Sequence, residues 1–155
     1  MIKRRTKTRE KVRAIPVKYD GIQFQSKIEK AMYRLLLSNK IDCKYEEEVF
    51  ILKEESIFSN HSYERCMNGK GEFKDRGNEK INKMYYTPDF TGKDFIIEVK
   101  GKANERFPIV WKLFKNHLME INDNRMLFKP QSLKDCTEVV AIINKKRLDD
   151  KKDIE

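Results

Sequence analysis

Two strand-like runs separated by a short turn constrain the fold of this chain more than any other feature of its sequence. Residues 84–90 and 95–100 are rich in aromatic and β-branched residues, which favour strands. Residues 91–94 connect them and contain Gly92, the residue type that tight hairpin turns favour. The two runs are therefore predicted to pair as an antiparallel hairpin.

This hairpin is predicted to bring three charged side chains together. Side chains alternate along a strand, so Glu98 and Lys100 point to one face while their apolar neighbours point into the core. The turn folds the preceding strand back alongside and places Asp89 next to Glu98. Two carboxylates beside one ammonium group are the result. A less specific explanation is that Glu and Lys on a surface strand only pair with neighbouring strands.

A carboxylate pair of this kind is typical of a divalent-cation site. Neighbouring carboxylates repel each other unless a cation joins them, and hard oxygen ligands suit Mg²⁺, with Mn²⁺ as a substitute. The main-chain carbonyl of Val99 lies between the side chains of Glu98 and Lys100 and is a further candidate ligand. Such a cation supplies what phosphodiester hydrolysis requires, an acidified water and positive charge against the reacting phosphate. Lys100 is then expected to orient the water or to neutralise the same charge.

The overall charge points to a nucleic acid as the partner. Thirty-four Lys and Arg against 25 Asp and Glu give a formal charge of +9, which is typical of a polyanion binder. Residues 1–20 are predicted to form a flexible basic arm, although a solubilising tail without a partner is an alternative. The candidate DNA contacts in this arm are Lys3, Arg4, Arg5, Lys7, Arg9, Lys11 and Arg13.

Length and composition predict one folded domain around a single core. The chain has 155 residues, of which 39% are hydrophobic, and the predicted domain covers residues 21–147 before a charged tail at 148–155. Ser26 begins an S-x-x-E capping box, which predicts a helix that ends near residues 38–39. Residues 44–52 are predicted to be a strand.

The rest of the chain is predicted to contain a long loop, a helix, a short strand and one segment with two possible structures. Residues 53–83 contain scattered Gly and Asn without apolar periodicity, and are predicted to be a long loop insertion. Pro108 predicts the start of a helix, and residues 125–129 a short strand. Residues 132–146 fit either a capped helix or a buried strand, and the helix is favoured.

Three lysines after the hairpin are further candidate contacts with a phosphate backbone. They are Lys102, Lys112 and Lys115. A solvated polar face explains these lysines nearly as well.

The cysteines and the hydropathy pattern predict a cytoplasmic protein. Cys43, Cys66 and Cys136 form an odd set without CxxC spacing, so neither a disulfide framework nor a zinc site is indicated. The charged N-terminus and the lack of a long apolar run predict that the chain is neither secreted nor membrane-spanning.

Two segments of this sequence also resemble the signature of a known protein family. Residues 86–90, Tyr-Thr-Pro-Asp-Phe, and residues 97–101, Ile-Glu-Val-Lys-Gly, resemble the signature of the PD-(D/E)xK nuclease superfamily. Within it they are similar to the phage endonuclease I family of Holliday-junction resolvases. Residues 24–29 and 44–47 resemble the first helix and the following strand of that family, so the resemblance covers roughly residues 22–128 in order.

The resemblance implies a fold, a reaction and an assembly. It implies an α/β fold with a restriction-endonuclease-like core, in which helices flank a mixed central β-sheet. It implies a magnesium-dependent endonuclease that cuts branched DNA to leave 5′-phosphate ends and that acts as a homodimer. In a phage-encoded protein the compartment would be the host-cell cytoplasm.

The resemblance also assigns roles to individual residues. It implies that Asp89 and Glu98 are catalytic metal ligands, that Lys100 is the catalytic lysine, and that Glu29 is a third catalytic carboxylate and a possible metal ligand. Glu29 also closes the capping box, so it has a competing interpretation as a residue that serves only helix stability.

Two departures from the family pattern affect the substrate more than the chemistry. The insertion at residues 53–83 is longer than the pattern requires, and the C-terminal segment is mixed in charge rather than basic. A nuclease of this type that acts on linear duplex or flap DNA is therefore an alternative. A DNA-binding protein that does not cut is a second alternative, but such a protein gains nothing from carboxylates that face phosphate.

Overall fold

The structure of the protein is a computed structural model that describes residues 14–65, 67–101 and 104–152. Within these residues the chain contains three α-helices and twelve short strands, so the predicted mixed α/β class is confirmed. Residues 1–13 of the predicted basic arm, with all of its candidate DNA contacts, lie outside the described residues, as does Lys102. The helices are α1 (Lys27–Ser38), α2 (Phe107–Glu120) and α3 (Leu133–Lys152). The strands are β1 (Val17–Tyr19), β2 (Ile22–Phe24), β3 (Lys44–Tyr45), β4 (Phe50–Lys53), β5 (Ser56–Ile57), β6 (Tyr63–Arg65), β7 (Phe73–Asp75), β8 (Lys80–Ile81), β9 (Met84–Tyr86), β10 (Phe90–Thr91), β11 (Phe95–Ile97) and β12 (Met126–Phe128).

The chain divides into two compact units. The first comprises the described residues of Met1–Asp42 and Pro130–Glu155, and the second is Cys43–Lys129. In the first unit β1 and β2 form an antiparallel hairpin, and α1 packs against α3. Strand β1 lies inside the segment predicted to be a flexible arm. It forms because Asp20 and Gly21 both adopt positive φ angles, as a tight hairpin turn requires.

Both helices of the first unit agree with the sequence. Helix α1 begins after Ser26, whose side chain accepts a hydrogen bond from the N–H of Glu29, and it ends at the C-cap Asn39. Residues 133–152 form α3, so the helical alternative for this ambiguous segment is confirmed. The helix continues into the segment that was predicted to be a charged tail.

The second unit contains a four-stranded mixed sheet in the order β12-β11-β10-β3. Strand β10 pairs antiparallel with both β3 and β11, whereas β11 and β12 are parallel. The predicted antiparallel hairpin is thus confirmed for the pair Phe90 and Ile97. The predicted strand 44–52 is divided between β3 and β4, because Glu46 adopts a positive φ and breaks the extended chain between them.

Helix α2 covers part of this unit with aromatic side chains. It carries a proline in its first turn, as predicted, and its buried face packs on apolar residues of the strands. Phe114 contacts the ring of Phe50 at a centroid distance of 4.9 Å and the ring of Tyr86 at 4.4 Å. The cluster consists of Phe50, Leu52, Tyr86, Ile96, Phe107, Trp111, Phe114 and Leu118.

The prediction of a long loop at residues 53–83 is wrong. Beyond the β4–β9 pair, the antiparallel pairs β5–β8 and β6–β7 follow one after the other and form an extended hairpin arm at residues 54–83. Its strands are almost entirely exposed, so backbone pairing rather than a core holds them, and apolar periodicity gave no signal. Asp75 fixes the β6–β7 pair at the tip of the arm by accepting hydrogen bonds from His61 and from the N–H groups of Ser62 and Gly77, which lower its pKa to about 2.

Candidate active site

The register of the hairpin places Asp89 opposite Glu98. Phe90 and Ile97 are the last assigned pair, and Asp89 precedes Phe90 while Glu98 follows Ile97, so the same register extended by one residue opposes Asp89 to Glu98. Directly opposed residues of an antiparallel pair lie on the same face of the sheet. The two carboxylates therefore originate from adjacent backbone positions, at one end of the four-stranded sheet.

Asp89 is held in place by the backbone on both sides. Its Oδ2 atom accepts a hydrogen bond of 2.6 Å from the N–H of Val99, and its main-chain carbonyl accepts one of 2.9 Å from the N–H of Glu46. The preceding Pro88 is fully buried, which further restricts the chain at this point. The carboxylate is thus fixed to the strand that carries the other two candidate residues.

Glu98 and Lys100 form an ion pair at the edge of the buried core. Glu98 is 7% exposed, and its N–H continues the parallel pairing by donating to the carbonyl of Phe128 at 3.0 Å. The Nζ atom of Lys100 lies 3.5 Å from Oε1 of Glu98 and 4.4 Å from the ring centroid of Phe107. The ammonium group therefore compensates a carboxylate that is otherwise largely removed from water.

Tyr86 is a candidate site residue that the sequence analysis missed. Its buried hydroxyl has no hydrogen-bond partner within the described part of the chain. Burial raises the pKa of this phenol well above its usual range, and the negative charges of Glu98 and Asp89 raise it further. The hydroxyl therefore lies beside the carboxylate of Glu98, whose side-chain interaction with it also raises the pKa of the phenol. Strand β9 ends with Tyr86 just before the Thr-Pro-Asp motif, and that position was the signal available in the sequence.

The donor set of this site suits a hard divalent cation. No three His, Cys, Asp or Glu side chains within residues 14–65, 67–101 and 104–152 are grouped closely enough to hold a metal ion by themselves. Mg²⁺ does not require such a group, because it commonly binds through one or two carboxylates and keeps several waters. The pair Asp89 and Glu98 matches that requirement. The main-chain carbonyl of Val99 as a further ligand stays a prediction.

Glu29, the third carboxylate assigned by resemblance, belongs to the first unit. It is buried, its Oε2 atom accepts a hydrogen bond of 2.9 Å from the N–H of Gln25, and its own N–H donates to Ser26. These contacts are those of a helix N-terminus, so the capping prediction is confirmed. They do not test the catalytic interpretation of Glu29.

A second charged cluster lies at the opposite end of the four-stranded sheet, where its hydrogen bonds hold two segments of the chain together. Arg125 donates to both carboxylate oxygens of Glu48, at 2.6 and 2.8 Å, and to Asp123 at 2.6 Å. These bonds lower the pKa of both carboxyls below their usual values and raise that of the guanidinium. The cluster connects the start of β12 to the segment between β3 and β4.

The predicted DNA-contact lysines of helix α2 are both exposed. Lys115 lies with its ammonium group 5.8 Å from the ring centroid of Trp111. Lys112 makes no ion pair or ring contact with the rest of the described chain. Exposure is compatible with the predicted role of both lysines and does not test it.

Comparisons with known proteins give one match. The sequence model of a protein family matches residues 9–134, and that family is described as a protein of unknown function, DUF1064. Neither a curated protein nor a solved structure matches the chain. Among the described residues, no helix is both long enough and apolar enough to span a membrane.

Proposed function

This chain belongs to the DUF1064 family, and we propose that it is a magnesium-dependent DNA endonuclease of the PD-(D/E)xK type. One observation carries the proposal: the register of β10 and β11 opposes Asp89 to Glu98, and Lys100 lies 3.5 Å from that second carboxylate. Buried carboxylates are costly unless they serve a partner. A divalent cation and a phosphate are partners that account for all three groups together.

The surroundings of the pair support the same chemistry. A purely structural ion pair would need one carboxylate for one ammonium group, but this site has a second carboxylate in Asp89, anchored through Val99. The buried hydroxyl of Tyr86, which lacks a partner among the described residues, is a group that a bound ligand would satisfy. Such unsatisfied groups concentrate at functional sites because the protein alone has no use for them.

In the proposed mechanism Asp89 and Glu98 would hold the cation, and Glu29 is the third carboxylate implied by the sequence resemblance. The cation would supply an acidified water and positive charge at the reacting phosphate. Lys100 holds its ammonium group next to Glu98, where it orients the attacking water or neutralises the charge that develops on the phosphate oxygens. Val99 fixes the Asp89 carboxylate, so that the charged groups keep their spacing during the reaction.

The substrate and the assembly belong to the proposal on the strength of the sequence resemblance. We propose branched DNA, such as a four-way junction, as the substrate, with 5′-phosphate ends as products, and a homodimer as the active species. The formal charge of +9 supports a nucleic-acid partner. The mixed sheet covered by α2 is compatible with a restriction-endonuclease-like core.

A cleavage assay tests this function directly. The parent protein and Asp89→Asn are incubated with a four-way junction, a flap and a linear duplex of matched sequence, with Mg²⁺, with Mn²⁺ and with a chelator. We expect metal-dependent cleavage by the parent, preferentially of the junction, and none by Asp89→Asn. Asp42→Asn, which makes the same change at an exposed position, is the control and should cut like the parent. If all three DNAs stay intact with both metals, the proposal is wrong.

A further inference from the structure

Three lysines converge on one pair of stacked aromatic rings beside the candidate active site. Phe107 and Trp111, one turn apart on α2, have ring centroids 5.6 Å apart and are both buried. The ammonium group of Lys129 lies 5.8 Å from the first centroid and 5.9 Å from the second. Lys100 approaches the ring of Phe107, and Lys115 approaches that of Trp111.

The convergence is a product of the fold rather than of local sequence. Lys100 follows β11, Lys115 lies on α2 and Lys129 follows β12, so three separate segments bring their charges to one place. Like charges repel, and each ammonium group would have fewer charged neighbours if its flexible stem turned away. The ring faces attract cations and offset part of this repulsion.

The protein itself supplies little negative charge to this cluster. Within the part of the chain that the structure describes, Lys115 and Lys129 form no ion pair, and Lys100 pairs with Glu98. Both unpaired lysines are exposed to solvent and therefore accessible to a ligand. A group of accessible cations without their own counter-charge is suited to bind an anion.

The position of Lys129 relates this cluster to the carboxylate pair. Strands β11 and β12 are parallel with Ile97 beside Phe128, and the N–H of Glu98 donates to the carbonyl of Phe128. Lys129 is thus the next residue after the one to which Glu98 is hydrogen-bonded. An anion held by Lys129 and Lys115 would lie next to a phosphate held by Lys100 beside the carboxylate pair.

We infer that Lys129 and Lys115, with Lys100, form a subsite for the phosphate adjacent to the reacting one on a DNA strand. This inference rests on the proposed function. A repeating polyanion supplies neighbouring phosphates at a fixed spacing, which a free anion does not. The aromatic rings lie buried under the lysines and are not open to stack on bases, so the subsite reads the backbone independently of sequence. Lys129 is a positioning residue in this arrangement.

Binding measured as a function of salt tests the subsite without relying on cleavage. A fluorescein-labelled four-way DNA junction is titrated with the parent, Lys129→Gln, Lys115→Gln and Lys129→Arg, in chelator, at several salt concentrations. We expect each Gln variant to lose roughly five- to tenfold in affinity at low salt and to reduce the slope of log K against log salt by about one. Lys129→Arg keeps the charge and should retain the parent slope.

Lys93→Gln provides the matched control. It removes the same charge from the same sheet, but in the turn of the hairpin, at the end opposite to Glu98. It should bind like the parent, and thermal unfolding should show that all variants are folded. The inference is overturned if Lys129→Gln keeps the parent slope, since the lysine would then only cover the rings. If the slope changes as expected but Mg²⁺ and Mn²⁺ never produce cleavage, Lys129 and Lys115 bind the DNA backbone, but there is no reacting phosphate beside them and the proposed nuclease activity fails.

Discussion

The carboxylate of Asp89 accepts a 2.6 Å hydrogen bond from the backbone N–H of Val99, the residue between Glu98 and Lys100. A side chain of one strand end is thereby tied to the main chain of the neighbouring segment. Position and charge of this carboxylate can therefore be separated by substitution.

We expect Asp89→Ala and Asp89→Asn to differ in stability but not in activity. Alanine leaves the N–H of the buried Val99 without its acceptor, which costs about 1–3 kcal/mol, whereas asparagine keeps an oxygen at that place. Both variants lose the charge and should cut junction DNA at least about 100-fold more slowly. Thermal unfolding and a metal-dependent cleavage assay check the two parts. Equal melting temperatures for the two variants would contradict the role assigned to the hydrogen bond.

We expect Tyr86→Phe to lower the cleavage activity without lowering the stability of the protein. The variant removes a buried hydroxyl that the described residues do not satisfy, so it should be as stable as the parent or more stable by up to about 1 kcal/mol. If the hydroxyl bonds to a ligand at the carboxylate pair, cleavage should fall roughly tenfold, the equivalent of one hydrogen bond. Tyr85→Phe, the same change on an exposed neighbour, is the control. A destabilised Tyr86→Phe would show that the hydroxyl has a structural partner.

We expect Ser26→Ala and Glu29→Gln to distinguish the two interpretations of Glu29. Removing the Ser26 hydroxyl abolishes the cap of α1 and should cost about 1 kcal/mol without affecting cleavage. Glutamine at position 29 keeps an oxygen for the N–H of Gln25, so stability should change little. Cleavage should be lost if Glu29 is the third catalytic carboxylate. Full activity in Glu29→Gln would leave it a helix-capping residue.

We expect the Arg125 cluster to stabilise the fold in a pH-dependent manner. Hydrogen bonds from Arg125 lower the pKa of Glu48 and Asp123, so their contribution is present above the ordinary carboxyl range, near pH 4, and is lost as the pH falls through the lowered values. Arg125→Met should cost about 2 kcal/mol at neutral pH, or roughly 4–8 °C in melting temperature.

The pH profile of unfolding checks this expectation. The difference in melting temperature between the parent and Arg125→Met should be constant from about pH 6 to 8. It should shrink below about pH 4, as the carboxyls become protonated first in the unfolded chain and then, at their lowered pKa values, in the folded chain. Lys129→Met, which removes a cation without an ion-pair partner among the described residues, should show no such trend. A difference that persists at low pH would mean that the contact of the Arg125 guanidinium with the ring of Phe50 dominates.

We expect the hairpin arm to be dispensable for folding. Lys53 and Met84 are partners in the β4–β9 pair, so an Asn-Gly turn in place of residues 54–83 would close it as a two-residue hairpin. The arm contributes no residue to the hydrophobic cluster of Phe50 and Trp111. The shortened chain should still unfold cooperatively within a few degrees of the parent, as measured by calorimetry. Loss of cooperative unfolding would show that the arm supports the second unit.

Local signals in the sequence predicted the parts of the fold that depend on neighbouring residues. The capping box at Ser26 and the proline at the start of α2 determined two helices, and the turn at Gly92 determined the hairpin. The positions of Asp89 and Glu98 followed from that turn alone. The strand division at Glu46 was not predictable in this way, because a positive φ in a non-glycine residue depends on tertiary contacts.

The missed features share a dependence on contacts between distant segments. Strands of the arm pair through backbone hydrogen bonds with their side chains exposed, so they lack the apolar alternation by which strands are recognised. Lys129 becomes a candidate binding residue only because the fold places it beside Phe107 and Trp111. Arg125 likewise became a structural centre through Glu48, which is remote in sequence.

With the exception of Glu29, the acidic centre proposed for this protein is encoded in one uninterrupted segment. Tyr86, Asp89, Glu98 and Lys100 derive their spacing from a single hairpin and its own turn. A circular permutant opened at the tip of the arm would keep that segment intact, because exposed tips tolerate new termini. Recombination could likewise transfer the segment between chains as one cassette, while the surrounding surface diversifies to suit another nucleic acid.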